Sequence, residues 1–235
     1  MRIQTTSSPT SATPSSDYKA VPFFGWSILA ILFIAGSFAS REISTEDTKD
    51  IFYDYGFAVT TIVYYAILVG LTFALAIPYP RTPRALGLNP FGWRWVGVAI
   101  GLIIGVLIVS VLLEPLLHGG REQGLSPDEW QPEHARAFLL NAILISTIVP
   151  FTEELFFRGL GVRALQFLGG MSAVIITGLV FGFSHGILGA LPPLILFGIA
   201  LGWVRLRSDS VWPGIFAHGF YNAVGILIVY LQLAY

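Results

Sequence analysis

Long apolar runs alternate with short polar breaks along this chain, and the lengths of the runs set the first expectation. Seven stand out, at about 21–39, 56–77, 93–113, 136–167, 171–187, 189–204 and 212–235, separated by Pro, Gly or charge-bearing segments. A helix crossing a bilayer needs about 20 predominantly apolar residues. The pattern therefore predicts an all-α, polytopic helical membrane protein with about seven transmembrane helices. The first run exceeds the roughly 7–15 residues of a signal-peptide core and reads as a signal anchor. Residues 1–19, dominated by Ser, Thr and Pro, lack the apolar content for a core and are expected to form a disordered tail. Residues 20–235 are expected to form one transmembrane domain.

Composition sharpens the class. Hydrophobic residues make up 54% of the chain, charged residues 11%, and the mean hydropathy is +0.73, whereas soluble domains are about one quarter charged. A net charge of −1 without a basic stripe excludes nucleic acid as a partner and leaves the lipid bilayer as the surroundings. With no cysteine, chemistry must rest on oxygen and imidazole. Segments 41–54 and 118–135 are rich in Asp and Glu, whereas 78–94 holds Arg81, Arg84 and Arg94 and no acid. By the positive-inside rule the arginine-bearing loop is cytoplasmic. Arg163, Arg205 and Arg207 join it if the helices alternate, which places the N-terminus in the cytoplasm and the C-terminus outside. The glycines of 97–105 and 198–202 are read as close-packing positions.

Against this background Glu153, Glu154 and Arg158 are out of place. An ionisable side chain at the centre of a membrane helix costs about 2.5–3.5 kcal/mol on insertion scales, so three together mark either a site or a structural clamp. Glu154 and Arg158 stand at i and i+4 in the favourable order, while Glu153 points about 100° away and is left without a partner. Pro150, one turn earlier, is expected to open the helix, with Ser146 and Thr147 satisfying the freed carbonyls. Two further apolar stretches carry polar residues, Phe181-Gly-Phe-Ser-His185 and His218-Gly-Phe-Tyr-Asn222. His218 and Asn222 share one helix face. Counting about 1.5 Å per residue from the arginine-bearing ends puts Glu153, His185 and His218 at comparable depth, in an intramembrane cavity expected to open to the cytoplasm.

Taken in order, Glu153-Glu154-x-x-x-Arg158, Phe181-x-x-x-His185 and His218-x-x-x-Asn222 resemble the three motifs of the CPBP family, which comprises type II CAAX prenyl endopeptidases and Abi or bacteriocin-processing intramembrane proteases. The resemblance covers about 136–230, including Phe197-Gly-x-x-x-Gly-Trp-x-Arg205 and the stretch from Trp212 to His218. It implies an endopeptidase acting on a peptide or protein substrate, prenylated or membrane-associated. It also implies Glu153 as the base that activates water, helped by His185, with His218 and Asn222 at the oxyanion and with Glu154, Arg158 and Phe181 supporting the site. Family members are often called metalloproteases. His185, His218 and Glu153 could supply three Zn2+ ligands, whereas the amide of Asn222 suits an oxyanion better than a zinc ion, so zinc-bound and metal-free mechanisms both stand. The reading from another class is a non-catalytic binding, immunity or assembly protein, or a transporter component, using the same polar cavity.

Overall fold

The computed structural model describes residues 17–43, 50–117 and 129–234, and among them every regular element is helical. Seven helices carry the architecture: α1 Asp17–Ile43, α2 Tyr55–Ala76, α3 Arg94–Leu117, α4 Ala135–Glu153, α5 Gly170–Phe183, α6 Leu191–Ser208 and α7 Trp212–Ala234. Beyond Glu153, α4 continues without a break into a π-helical stretch, Glu154–Gly161. Most of the expected N-terminal tail, residues 1–16, lies outside the described residues.

Among the described residues, six spans are long and apolar enough to cross a membrane, which makes this a multi-pass integral membrane fold. The seventh expected span, 171–187, corresponds to α5. At 14 residues, or about 21 Å, α5 is shorter than the roughly 30 Å hydrocarbon core. Its end has a local cause. The Ser184 hydroxyl and the His185 ring both hydrogen-bond the Phe181 carbonyl, each at 2.8 Å, and Gly186 turns the chain at φ +68°. These contacts close the C-terminus before the apolar run is used up.

The core is built around α4. Its α-helical part packs on α2 and α7, and its π stretch touches α1, α2, α5 and α6. Asn141, fully buried, donates to the carbonyls of Phe52 and Asp54 at 2.9 and 3.0 Å and ties the start of α2 to α4. On the other side the Trp26 indole of α1 donates to the Phe156 carbonyl at 3.2 Å. Gly161 lies so close to that indole that a Cβ would sit 2.7 Å from the ring.

The glycine expectation holds for one stretch and fails for the other. The α5–α6 pair crosses at Gly178 and Gly198, where a Cβ on Gly198 would come within 2.7 Å of the Gly178 Cα. Gly97, Gly101 and Gly105 of α3 have nothing within 4 Å of a built Cβ, so no helix is packed on them. At Pro150 the missing N–H leaves the Ser146 carbonyl without its helical donor. Thr147 does not reach it, donating instead to Ile143 O at 2.6 Å. Gly219 of α7 closes on that carbonyl, and a Cβ there would stand 2.6 Å from Ser146 O.

Candidate active site

The charged trio sits where α4 changes from α to π winding. Glu154 and Arg158 are both fully buried, and Arg158 Nη1 donates to Glu154 Oε1 at 2.8 Å. The guanidinium lies 4.2 Å from the centroid of the Phe181 ring and donates through Nη2 to Gly198 O at 3.3 Å. Phe181 thus supports the arginine by a cation–π contact, which strengthens when desolvated.

Glu154 does more than hold Arg158. The His218 Nδ1 lies 3.0 Å from the same Glu154 Oε1, and a carboxylate can only accept, so Nδ1 carries a proton. This orients the His218 ring with Nε2 facing Glu153, 3.8 Å from Oε2. Glu154 Oε2 is buried without a hydrogen-bond partner, and Gly214 of α7 makes room for it, since a Cβ there would lie 2.9 Å away. His218 therefore stands between the two carboxylates, fixed by one and presented to the other.

Glu153 faces open space. Together with His185, His218 and Asn222 it lines a cavity of about 520 Å³, whose walls include Phe57, Tyr64 and Tyr65 of α2, Val149 of α4 and Phe197 of α6. All four residues singled out as catalytic candidates thus meet at one space. His185 donates from Nδ1 to Phe181 O, which leaves its Nε2 as an acceptor. Asn222 donates from Nδ2 to Ile145 O at 2.9 Å, so one of its two amide protons is already used and one is left for another acceptor.

The direction of the cavity departs from expectation. It runs from Glu153 toward Phe52 at the start of α2 and Val229 near the end of α7. That is the end of the bundle that carries Asp50, Asp54, Glu129 and Glu133, away from the arginine-bearing one. The reason is packing: Leu155, Phe156, Phe157 and Leu160 fill the space on the arginine side of Glu153, and all are buried. A second cavity of about 400 Å³, bounded by Phe33, Gly36 and Ser37 of α1, also reaches Glu153 and His185 from beyond Tyr64 and Tyr65.

Residues 135–224 match the family model of Rce1-like type II CAAX prenyl endopeptidases. The chain carries an Rce1-like segment. It is the family that the three motifs resemble, and it supports a CAAX-protease-type endopeptidase at the level of the family. No curated protein and no solved structure gives a significant match. Every motif residue, from Glu153 to Asn222, lies inside the Rce1-like segment. Two residues that serve the site lie outside it and were not read from the sequence. Tyr65 donates to Glu153 Oε1 at 2.8 Å, and Trp26 holds the π stretch. Tyr65 belongs to a Tyr64-Tyr65 pair in the middle of an apolar run. The position of that pair, away from the helix ends where aromatic belts lie, is the one signal that could have pointed to it.

The donor set can be tested against zinc. His185 and His218 both present Nε2, the acceptor nitrogen that a metal would take. Among the described residues, however, no three His, Asp or Glu side chains close on one point as a metal cluster. Glu153 gives one carboxylate oxygen to Tyr65.

Proposed function

We propose that the chain is an intramembrane endopeptidase in which Glu153 activates water for peptide hydrolysis. The observation that carries this reading is the pairing at the cavity: a carboxylate in open space, with two imidazoles whose tautomers are set from behind. Glu153 accepts a proton from water as the water oxygen adds to the scissile carbonyl carbon, and the same proton passes to the leaving amine when the C–N bond breaks. His185, with its proton held by Phe181 O, accepts a hydrogen bond from that water through Nε2. The developing oxyanion needs donors. The free amide proton of Asn222 supplies one, and the His218 ring lines the same space beside it. Glu154 and Arg158 act behind this layer as positioning residues.

An extended peptide fits a cavity of this size, and its mostly apolar wall of Phe57, Val149, Phe197 and Ile226 favours a substrate with a lipid-like or apolar segment. Purified protein incubated with a fluorogenic prenylated reporter peptide should release product at the same rate with and without a zinc chelator. Absence of any turnover would favour a non-catalytic binding role. Loss of turnover on chelation, with about one zinc per chain by metal analysis, would replace the water mechanism with a metal-assisted one.

The orientation proposed for the membrane keeps the arginine-bearing end in the cytoplasm, which is supported by the clustering of Arg84, Arg163 and Arg205 around one cavity at that end. Single cysteines replacing Thr82 and Glu129 should react with an impermeant reagent on intact cells only at position 129. Labelling of position 82 alone would invert the topology.

A further inference from the structure

A third cavity lies apart from the site, at the arginine-bearing end of the bundle. It measures about 210 Å³ and is lined by Arg84, Arg163, Gln166, Arg205 and Asp209 among others. These come from three separate places in the chain: the connection between α2 and α3, the end of the α4 unit, and the end of α6. We infer that this cavity binds a phosphate group, carried by the headgroup of an anionic phospholipid or supplied as free phosphate.

Charge is the first argument. Three guanidiniums meet one carboxylate. Arg205 is 92% buried, leaving 8% of its surface exposed, and its Nη1 donates to Asp209 Oδ1 at 2.9 Å. That carboxylate is 81% exposed, so solvent screens it. Asp209 is also shared, since Asn89 donates to its Oδ2 at 3.2 Å. Arg205 Nε is buried with no hydrogen-bond partner, pressed against Gly87, where a Cβ would lie 2.3 Å away. Arg163 spends Nη1 on Gln166 Oε1, and its guanidinium lies 5.0 Å from the Tyr79 ring centroid. Neither contact brings it a negative charge. The carbonyl end of α6 and Asp209 offset part of the positive field but do not cancel it. A buried guanidinium with a screened partner and two like charges beside it is stabilised by an anion with several acceptor oxygens, and phosphate matches guanidinium geometry best.

Position is the second argument. Two of the apolar spans end at Ala164 and Ser208, next to Arg163 and Asp209, and Arg84 lies between the spans that end at Ala76 and begin at Arg94. The cavity therefore stands at the depth of lipid headgroups. Exposed Ile77, Phe167 and Leu168 belong to the same end of the bundle and suit the adjoining acyl chains. Basic pockets between membrane helices at this level are suited to anionic headgroups.

The full-length protein, purified in detergent and stripped of lipid, can be titrated with phosphatidylglycerol, with phosphatidylcholine and with inorganic phosphate, binding being read by native mass spectrometry and by thermal shift. One phosphatidylglycerol should bind with clear preference over phosphatidylcholine. The double variant Arg84→Gln/Arg163→Gln removes two exposed arginines, and it should weaken that binding roughly 10- to 30-fold while unfolding at the same temperature as the lipid-free wild type. The control Arg81→Gln/Arg207→Gln removes equal charge just outside the cavity and should bind as the wild type does. If inorganic phosphate alone binds and is lost in the same double variant, the site holds free phosphate. Equal weakening in both double variants would show diffuse surface attraction and overturn the site. So would a wild type that binds neither the anionic lipid nor phosphate.

Discussion

Glu153 and Glu154 are neighbours in the chain and share one histidine, yet they stand in opposite surroundings. The Glu153 side chain retains 14% exposure on the wall of a cavity, while that of Glu154 retains 1% and is enclosed by Arg158, His218 and Gly214. The same functional group therefore has two different capacities. On the wall it can meet water and trade protons. In the interior it is surrounded by fixed donors and can only hold them in place. Sequence adjacency on a helix produces this split because successive residues point about 100° apart.

Neutralising the wall residue should have the largest effect. Glu153→Gln keeps shape and the hydrogen bond from Tyr65 but removes the base, so kcat on a reporter peptide should fall by roughly 10²- to 10⁴-fold, with thermal stability nearly unchanged. Full activity in this variant would end the assignment of Glu153. Neutralising the interior residue should do the reverse. Glu154→Gln leaves Arg158 as a buried charge facing an amide, a loss of about 3–5 kcal/mol that thermal unfolding in detergent would register. A stable but inactive Glu154→Gln protein would mean that the two glutamates have exchanged roles. The smallest effect tests how the wall residue is aimed. Tyr65→Phe removes one hydrogen bond to a charged group, worth about 1.5–3 kcal/mol, and a fall of roughly 10-fold in kcat with unchanged KM is expected. A change in KM alone would make Tyr65 a substrate contact instead.

The two glutamates were also the most legible part of the chain. Glu153, Glu154 and Arg158 announce themselves because charge is costly in an apolar run, and His218 with Asn222 because their spacing puts both on one face. The helical membrane class was legible for the same reason that the runs were: length and hydropathy are local. What was not legible depended on contacts between distant segments. Tyr65 looks like any membrane tyrosine until α2 is laid against α4. The side on which the cavity opens depends on Phe156 and Phe157 turning inward, and depth counted along the chain says nothing about which side is filled. The π winding of Glu154–Gly161 leaves no mark in a pattern with a period of 3.6. The shortness of α5 escaped because an apolar run does not show where Ser184 and His185 will fold back on Phe181.

The hydrogen bond from Trp26 to Phe156 also bears on the order in which the molecule is made. The two residues are separated by 130 positions, so the ribosome delivers the indole long before the carbonyl it serves. The span Ala20–Ser40 has a mean hydropathy of 2.0 and can settle in the lipid without help. Its lodging against α4 must wait until Phe156 has been translated. Insertion and assembly are therefore separate events for this helix, as in the two-stage picture of membrane folding. The wall that α1 contributes to the second cavity is a late acquisition in the life of each new chain.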